Sequence, residues 1–188
     1  MHALTRFAVR FGWAALVVLL TTLPAQQAAA GAAQINREAD AALAKLQRQV
    51  PAAKQLARQA KAILIFPSVV KGGLLVGGQY GEGALRKGGK TVGYYSTAGV
   101  SYGLQAGAQK FGYALFFMHD DALKQLNVAD GWEIGVGPSV VVVDEGMAKT
   151  LTTTTAKEGV YAFIFSQKGL MAGLGLQGSK ITPISPDR

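Results

Sequence analysis

The sequence contains no cysteine and only two histidines. Without cysteine the chain cannot form disulfides, thiolate metal sites or a cysteine nucleophile. His2 and His119 are too few for a histidine-based zinc site, so we expect no metal and no cofactor. Acidic residues are outnumbered, since 11 Asp and Glu stand against 19 Lys and Arg and leave a formal net charge of +8. An excess of positive charge is therefore the main chemical feature of this composition.

The first thirty residues have the pattern of a secretory signal peptide. Arg6 and Arg10 precede an uncharged, mostly apolar run over 11–23, and the alanines at 28–30 fit the small-x-small rule for cleavage. About thirteen apolar residues are fewer than a helix needs to span a bilayer. We expect export to a bacterial periplasm or beyond, followed by one folded domain over residues 31–188.

The positive charge is concentrated in the first part of that domain. Residues 31–90 contain ten Lys and Arg against three Asp and Glu, whereas residues 91–188 contain seven against eight. A one-sided basic segment indicates an anionic partner, such as a membrane surface, a nucleic acid or an acidic polymer. Export disfavours nucleic acid, so we expect no nucleic-acid partner. A solvated charged face without a partner is the alternative.

Two helices are predicted at the start of the domain. Asn36 is a candidate N-cap, and apolar residues then recur at helical spacing up to Val50. Pro51 is best tolerated in the first turn of a helix. It therefore separates a first amphipathic helix over about 36–49 from a second over about 51–61.

The second predicted helix has a basic face. Lys54, Arg58 and Lys61 lie at i, i+4 and i+7, opposite a weaker apolar side. A basic amphipathic helix is typical of a segment that lies on an anionic bilayer. The alternative is a helix that packs its apolar stripe against the rest of the domain.

From Ala62 onward the sequence favours β-structure. Pro67 is expected to close the first strand, the basic glycine-rich stretch 86–90 to form a hairpin turn, and 119–127 to form a short helix. Runs rich in β-branched and aromatic residues predict strands at 63–66, 74–76, 91–95, 100–108, 113–118, 132–136, 140–143, 151–155, 160–166, 170–176 and 180–183.

Glycine alternates with larger residues along two of these strands, over 99–109 and 169–176. Repeated glycine on one face of a strand indicates tight curvature or a second backbone packed close to it. We therefore predict an α+β fold, with N-terminal amphipathic helices packed on a curved, mainly antiparallel, glycine-rich sheet or partly closed barrel.

Two stretches imitate catalytic motifs. Ser68 and Lys71 have the serine–lysine spacing of penicillin-binding enzymes, but Pro67 and Gly72 leave no room for the helix that this chemistry requires. Residues 173–178 match a dinucleotide fingerprint, but the chain offers neither the following helix nor the acidic residue about twenty positions later. Both stretches are better explained as pieces of β-sheet.

Acid–base chemistry has few candidates. The adjacent acidic pairs at 120–121 and 144–145 suit turns and helix caps better than a shared substrate. Glu82 stands between two glycines, where it either pairs with a nearby Lys or Arg or lies in a binding cleft. His119 could act as a base, although a lone histidine beside a helix start is more often structural. A hydrolase or carrier with a cleft near Glu82 and His119 is the enzymatic alternative.

Three stretches, in this order, resemble one known family. They are AKAILIFPSVVKGGLLVGGQYGEGAL at 60–85, AGVSYGLQAGAQKFGYALFFM at 98–118 and YAFIFSQKGLMAGLGLQGSKI at 161–181. Together they resemble the SYLF-domain family, also described as an actin-patch or lipid-binding domain, and the resemblance extends over about residues 36–184.

The resemblance implies a lipid-binding module and no enzyme. Eukaryotic members bind phosphoinositides, and the family places its lipid contact in the basic N-terminal amphipathic segment. In this chain that contact corresponds to six residues: Lys45, Arg48, Lys54, Arg58, Lys61 and Lys71. Actin, a partner of some members, is not expected for an exported bacterial protein. We expect a periplasmic or secreted protein, peripherally associated with anionic membrane lipid; a scaffold that binds envelope proteins is the alternative.

Overall fold

The structure is a computed structural model that describes residues 31–128, 130–166, 169–170 and 176–186, with the backbone alone for 74–76, 101–108, 166 and 169–170. The predicted signal peptide lies outside this part of the chain, as do most of the predicted strand at 170–176 and half of the fingerprint stretch at 173–178.

Two long antiparallel strands form the centre of the fold. Strand β1 (Ala62–Lys87) pairs with β2 (Lys90–Phe117) from the turn outward, until Ala62 lies opposite Phe117. Gly88 and Gly89 form the two-residue turn with φ of 57° and 79°. This left-handed backbone matches the twist of the flanking strands and costs glycine nothing sterically. The predicted hairpin turn at 86–90 is confirmed.

The prediction that Pro67 closes the first strand is wrong. Strand β1 continues through it, and the pairing register shifts between Phe66 and Val69, which marks a β-bulge. Proline lacks an N–H donor, so a bulge accommodates it within a sheet. The short strands predicted at 63–66 and 74–76 are consequently parts of β1, and those at 91–95, 100–108 and 113–118 are largely parts of β2.

Five shorter strands complete the sheet described. They are β3 (Trp132–Glu133), β4 (Val140–Val142), β5 (Val160–Ser166), β6 (Gly169–Leu170) and β7 (Lys180–Ile184). Strand β2 pairs with β7 through residues 94–98 and with β5 through residues 112–117. The strand order is β3-β7-β2-β5-β4, with β1 paired to β2 and β6 to β5. All described pairings are antiparallel except β4 with β5.

The predicted strand at 151–155 is also wrong. Helix α4 (Glu145–Thr150) precedes this segment, and Thr152 and Thr155 then exchange side-chain and backbone hydrogen bonds in a turn. Threonine has a high β-propensity, but its hydroxyl can also satisfy nearby backbone groups and stabilise a turn.

The N-terminal helices are α1 (Ala32–Gln49) and α2 (Pro51–Ala57). The predicted break at Pro51 is confirmed, and α2 is shorter than predicted. Gly31, not Asn36, is the N-cap of α1, because the helix begins one turn earlier than its apolar pattern suggests. The helix predicted at 119–127 is confirmed as α3 (Asp120–Leu123), which continues as a 3₁₀ turn over Lys124–Asn127.

The sheet has apolar side chains on both faces. One face bears α1 and α2, and we call it the helix-bearing face; its core includes Ile35, Leu46, Leu56, Ile63, Ile65, Ala84, Ala114, Phe116 and Phe163. The opposite face encloses an inner core that includes Leu64, Phe66, Val69, Leu85, Tyr95, Phe111, Tyr113, Trp132 and Ile181.

Strand β1 curls so far that it touches itself. A Cβ built on Gly83 would lie 2.2 Å from the carbonyl oxygen of Ile65, and one on Gly81 would lie 2.7 Å from that of Ser68. Glycine is required where two backbones approach so closely. The prediction of an α+β fold with a curved, mainly antiparallel, glycine-rich sheet is confirmed.

Candidate functional site

Helix α1 turns its apolar stripe toward the sheet. Ile35, Ala39 and Leu46 are buried in the helix-side core. Arg37 and Arg48 are exposed and lie eleven positions apart, which is three helical turns, so they share the opposite face. This outward face carries positive charge away from the sheet.

The structure places five of the six predicted residues in the N-terminal region formed by α1, α2 and the residues that lead into β1. Lys45 is half-buried on the flank of α1, and Arg48 is exposed near the end of that helix. Lys54 lies in α2, Arg58 is the C-cap of α2, and Lys61 directly precedes β1; all three are exposed. The sixth residue, Lys71, is half-buried in β1 beyond the bulge and thus belongs to a different element.

Arg37 is the basic residue that the sequence reasoning missed. Its spacing to Arg48 was visible in the sequence, and Arg37 lies within the helix predicted over about 36–49, but it was not included among the predicted lipid-contact residues. The ion pairs of the described residues include Arg86 with Asp40 and Lys124 with Asp121, and neither of these uses Arg37 or one of the six predicted residues.

A polar cluster fixes the start of α1 to the hairpin. The Asn36 amide nitrogen donates to the Tyr94 hydroxyl at 2.8 Å, and the Thr91 hydroxyl donates to the Asn36 side-chain oxygen at 2.7 Å. Arg86 donates to the Asn36 carbonyl at 3.2 Å and pairs with Asp40 at 2.5 Å. Asn36 therefore anchors the helix from within it, which corrects its predicted role as the N-cap.

Glu82 accepts a hydrogen bond from the Tyr80 hydroxyl at 2.8 Å. Burial, together with this hydrogen bond and the negative charge of Glu82, raises the pKa of Tyr80 to about 12. His119 is exposed at the N-cap of α3, beyond the far end of β2. The hypothesis of a cleft shared by Glu82 and His119 stays a prediction from the sequence.

The acidic pairs have the cap roles expected for them. Asp144 is the N-cap of α4 and accepts a 2.7 Å hydrogen bond from the backbone N–H of Met147. Asp121, in the first turn of α3, pairs with Lys124 at 2.6 Å, and that hydrogen bond and charge lower the pKa of Asp121. In the described part of the chain, no three His, Asp or Glu side chains are grouped to hold a metal ion.

None of the helices in the described ranges combines the length and apolarity needed to cross a membrane. The outward face of α1 and α2 presents Arg37, Arg48 and Lys54 as exposed side chains.

Residues 98–185 match the model of the Ysc84 family, which is described as Las17-binding protein actin regulator. No curated protein matched the chain. The matched segment begins within β2, extends through β7 and contains two of the three stretches that resemble SYLF domains. The predicted lipid-contact residues precede it. This match over residues 98–185 is consistent with a member of the SYLF-domain family, to which the Ysc84 model belongs.

Proposed function

We propose that this protein adsorbs to anionic lipid surfaces through the outward basic face of its N-terminal helices. The family is known for lipid binding. The observation that carries the proposal is the orientation of α1 and α2, which bury their apolar stripe and expose Arg48, Lys54 and Arg58. Anionic phospholipid or phosphoinositide-type headgroups complement that charge.

The mode of binding that we propose is electrostatic. Because Ile35, Ala39 and Leu46 are buried against the sheet, α1 cannot insert them into a bilayer without leaving the fold. Each Lys or Arg near an anionic surface contributes about 1 kcal/mol, so five contribute about 5 kcal/mol, which corresponds to submillimolar adsorption. Salt weakens such binding because it screens exposed charges.

The signal-peptide pattern supports an envelope location. We propose a periplasmic or secreted protein, peripherally bound to membrane and active as a lipid-binding module without catalysis. The N-terminus of the protein recovered from an exporting host, measured by mass spectrometry, tests this proposal: a start near residue 31 supports it and an intact residue 1 contradicts it.

Sedimentation with neutral and anionic vesicles tests lipid binding. We expect binding to anionic vesicles that falls with added salt, and about 100-fold weaker binding for the variant carrying Lys54→Glu, Arg58→Glu and Lys61→Glu. The matched control carries Lys87→Glu, Lys90→Glu and Lys180→Glu, three exposed residues outside the proposed surface with the same change in net charge. Equal binding to neutral vesicles, or equal loss in both variants, would contradict the proposed surface.

A protein partner is the second candidate. The description of the matching family names a Las17-binding protein, so protein binding is on record for that family. An envelope scaffold would give a specific crosslinked partner in native membranes, and the Lys54, Arg58 and Lys61 reversals would then leave vesicle binding unchanged.

A further inference from the structure

The middle of the β1–β2 hairpin is a two-stranded ribbon in the described sheet. We define the ribbon as residues 70–80 of β1 and 98–110 of β2, paired from Val70 with Lys110 to Tyr80 with Ala98. The pairing of β2 with β5 begins at residue 112, and its pairing with β7 ends at residue 98. Between these positions β1 is the strand neighbour of β2 in the described sheet.

The first arm of the ribbon places Val70 on the helix-bearing face. Val69 and Phe111 are paired and buried in the inner core. Since side chains alternate along a strand, Val70 and its partner Lys110 lie on the opposite face. That face is the one on which Ala114 and Phe116 of β2 contact the helices.

The second arm places its exposed residues on the same face. Ala84 and Tyr94 are paired, and both pack in the helix-side core. Counting back in steps of two along each strand places Tyr80, Ala98 and Val100 on that face as well. The register is continuous from residue 75 to residue 85 of β1, so this alternation is not interrupted there.

These residues give each arm an exposed apolar and basic strip, and a register shift between Gly73 and Leu75 separates the two arms. The exposed fraction is 51% for Val70, 42% for Tyr80 and 66% for Val100. Lys71 and Lys110 are the charged residues over 69–81 and 98–111, and no acidic residue occurs in either stretch. Lys110 lies on the exposed face with Val70, whereas Lys71, the next residue along β1, lies on the opposite face. Glu82 lies just beyond, where it accepts the hydrogen bond of Tyr80. Exposed aliphatic residues beside tyrosine and lysine are typical of a surface that meets a bilayer interface.

We propose that the exposed face of the ribbon is an apolar contact with the same anionic lipid surface that the basic helices bind. This inference rests on the proposed function and adds the apolar component that the buried stripe of α1 cannot supply. The ribbon continues the helix-bearing face, so its strip and the basic helices lie on the same side of the sheet.

A second copy of this chain fits the strip less well. A symmetric pair would bring the same patch of both copies together, and with it Lys110 of each. Two lysine side chains brought together oppose that contact, whereas anionic headgroups complement the charge of Lys110. The lipid surface is therefore the occupant that the charge favours.

Single-site labelling tests the contact directly. Because the chain lacks cysteine, Val100→Cys gives one attachment site for an environment-sensitive fluorophore. Val136→Cys is the matched control, since Val136 is 62% exposed and lies after β3, outside the ribbon. With the exported protein and anionic phospholipid vesicles, we expect the label at residue 100 to shift to the blue and to be quenched by brominated lipid, and the label at residue 136 to do neither.

Charge insertion gives a second measurement. We expect Val100→Asp to weaken vesicle binding about tenfold, from lost apolar contact, with Val136→Asp close to the original protein. Both substitutions are on exposed positions, and circular dichroism with thermal unfolding verifies that both variants fold.

The outcomes separate the two levels of the proposal. If the original protein binds no anionic vesicle, the proposed function itself fails. If it binds while the label at residue 100 stays in water and Val100→Asp binds equally well, the ribbon inference is overturned and the basic helical surface stands. If Val100→Asp instead converts a dimer to a monomer in light scattering, the strip is a self-association surface and the lipid contact is refuted.

Discussion

Gly83 shows at the residue scale how the sheet achieves its curvature. An added methyl group would approach the Ile65 carbonyl oxygen and lie 2.7 Å from the Phe66 ring, so backbone and core would have to shift. We expect Gly83→Ala to lower the free energy of unfolding by about 3 kcal/mol. Urea denaturation measures this change.

The matched control for that substitution is Gly78→Ala. The nearest atom to a Cβ at Gly78 is the carbonyl oxygen of Gly99 at 3.9 Å, and Gly78 is exposed. We expect Gly78→Ala to change the free energy of unfolding by less than about 0.5 kcal/mol. Equal effects of the two substitutions would show that glycine flexibility, not the close approach, matters at residue 83.

Tyr80 provides a test of pH dependence. Its pKa of about 12 lies above the ordinary value of 10.0. The neutral phenol is therefore favoured in the folded state, and the stability it contributes is present below pH 10 and lost as pH rises through about 12. An ultraviolet titration, with Tyr80→Phe subtracted, should show this late ionisation, and Glu82→Gln should lower the pKa because the carboxylate acceptor is removed. An unchanged pKa in Glu82→Gln would mean that burial alone raises it.

Glycine on one strand face correctly predicted curvature, but the residues that require it could not be identified from the sequence. Gly83 and Ile65 lie eighteen positions apart in one strand. Their contact depends on how far β1 curls, which is set by strands from across the chain.

At the element scale, the polar cluster under α1 is the testable feature. Asn36→Ala would leave the partly buried Tyr94 and Thr91 hydroxyls without their amide partner. We expect a loss of about 2 kcal/mol in unfolding free energy and faster amide exchange in the first turns of α1.

Gln34→Ala is the control for this prediction. Gln34 is in the same helical turn and makes an exposed hydrogen bond to Glu38 at 2.9 Å. Its removal should cost less than about 0.5 kcal/mol. The anchoring role of Asn36 is wrong if both alanine variants unfold alike.

Element types were more predictable than element boundaries. The apolar spacing from Ala39 to Val50 identified α1, and Pro51 identified the break. Asn36 was predicted as an N-cap, but its side chain hydrogen-bonds to residues of β2 instead. Pro67 was predicted to end a strand, but a β-bulge accommodates it within β1. Such partners lie far along the chain and leave no local signal.

At the scale of the whole molecule, lipid binding should leave the fold closed. The apolar stripe of α1 is part of the helix-side core, and its release would expose that core to water. We expect the amides of α1 to keep their exchange protection on anionic vesicles, and the helical signal in circular dichroism to stay constant. Loss of protection over Ala32–Gln49 on binding would show instead that α1 detaches and inserts.

The sequence predicted which basic residues cluster in the candidate site, but it did not predict which way the helices turn their basic and apolar faces. Helical spacing placed Lys54, Arg58 and Lys61 together, but whether the apolar stripe faced the sheet or a membrane depended on packing. The ribbon strip was not predicted at all, because the face on which Val100 lies follows from the register with β1, which a single strand sequence does not contain.

The turn at Gly88 and Gly89 also has a consequence for the order of folding. Lys87 and Lys90 are three positions apart along the chain, whereas Ala62 and Phe117, which pair at the other end of the hairpin, are 55 positions apart. Closing the hairpin progressively from its turn avoids the entropy cost of one large loop. We expect early protection of amides beside the turn in pulse-labelled hydrogen exchange, with Ala62 and the helices protected last. Helices α1 and α2, which we propose bind the membrane, would then pack against the sheet only after the hairpin has closed along its full length.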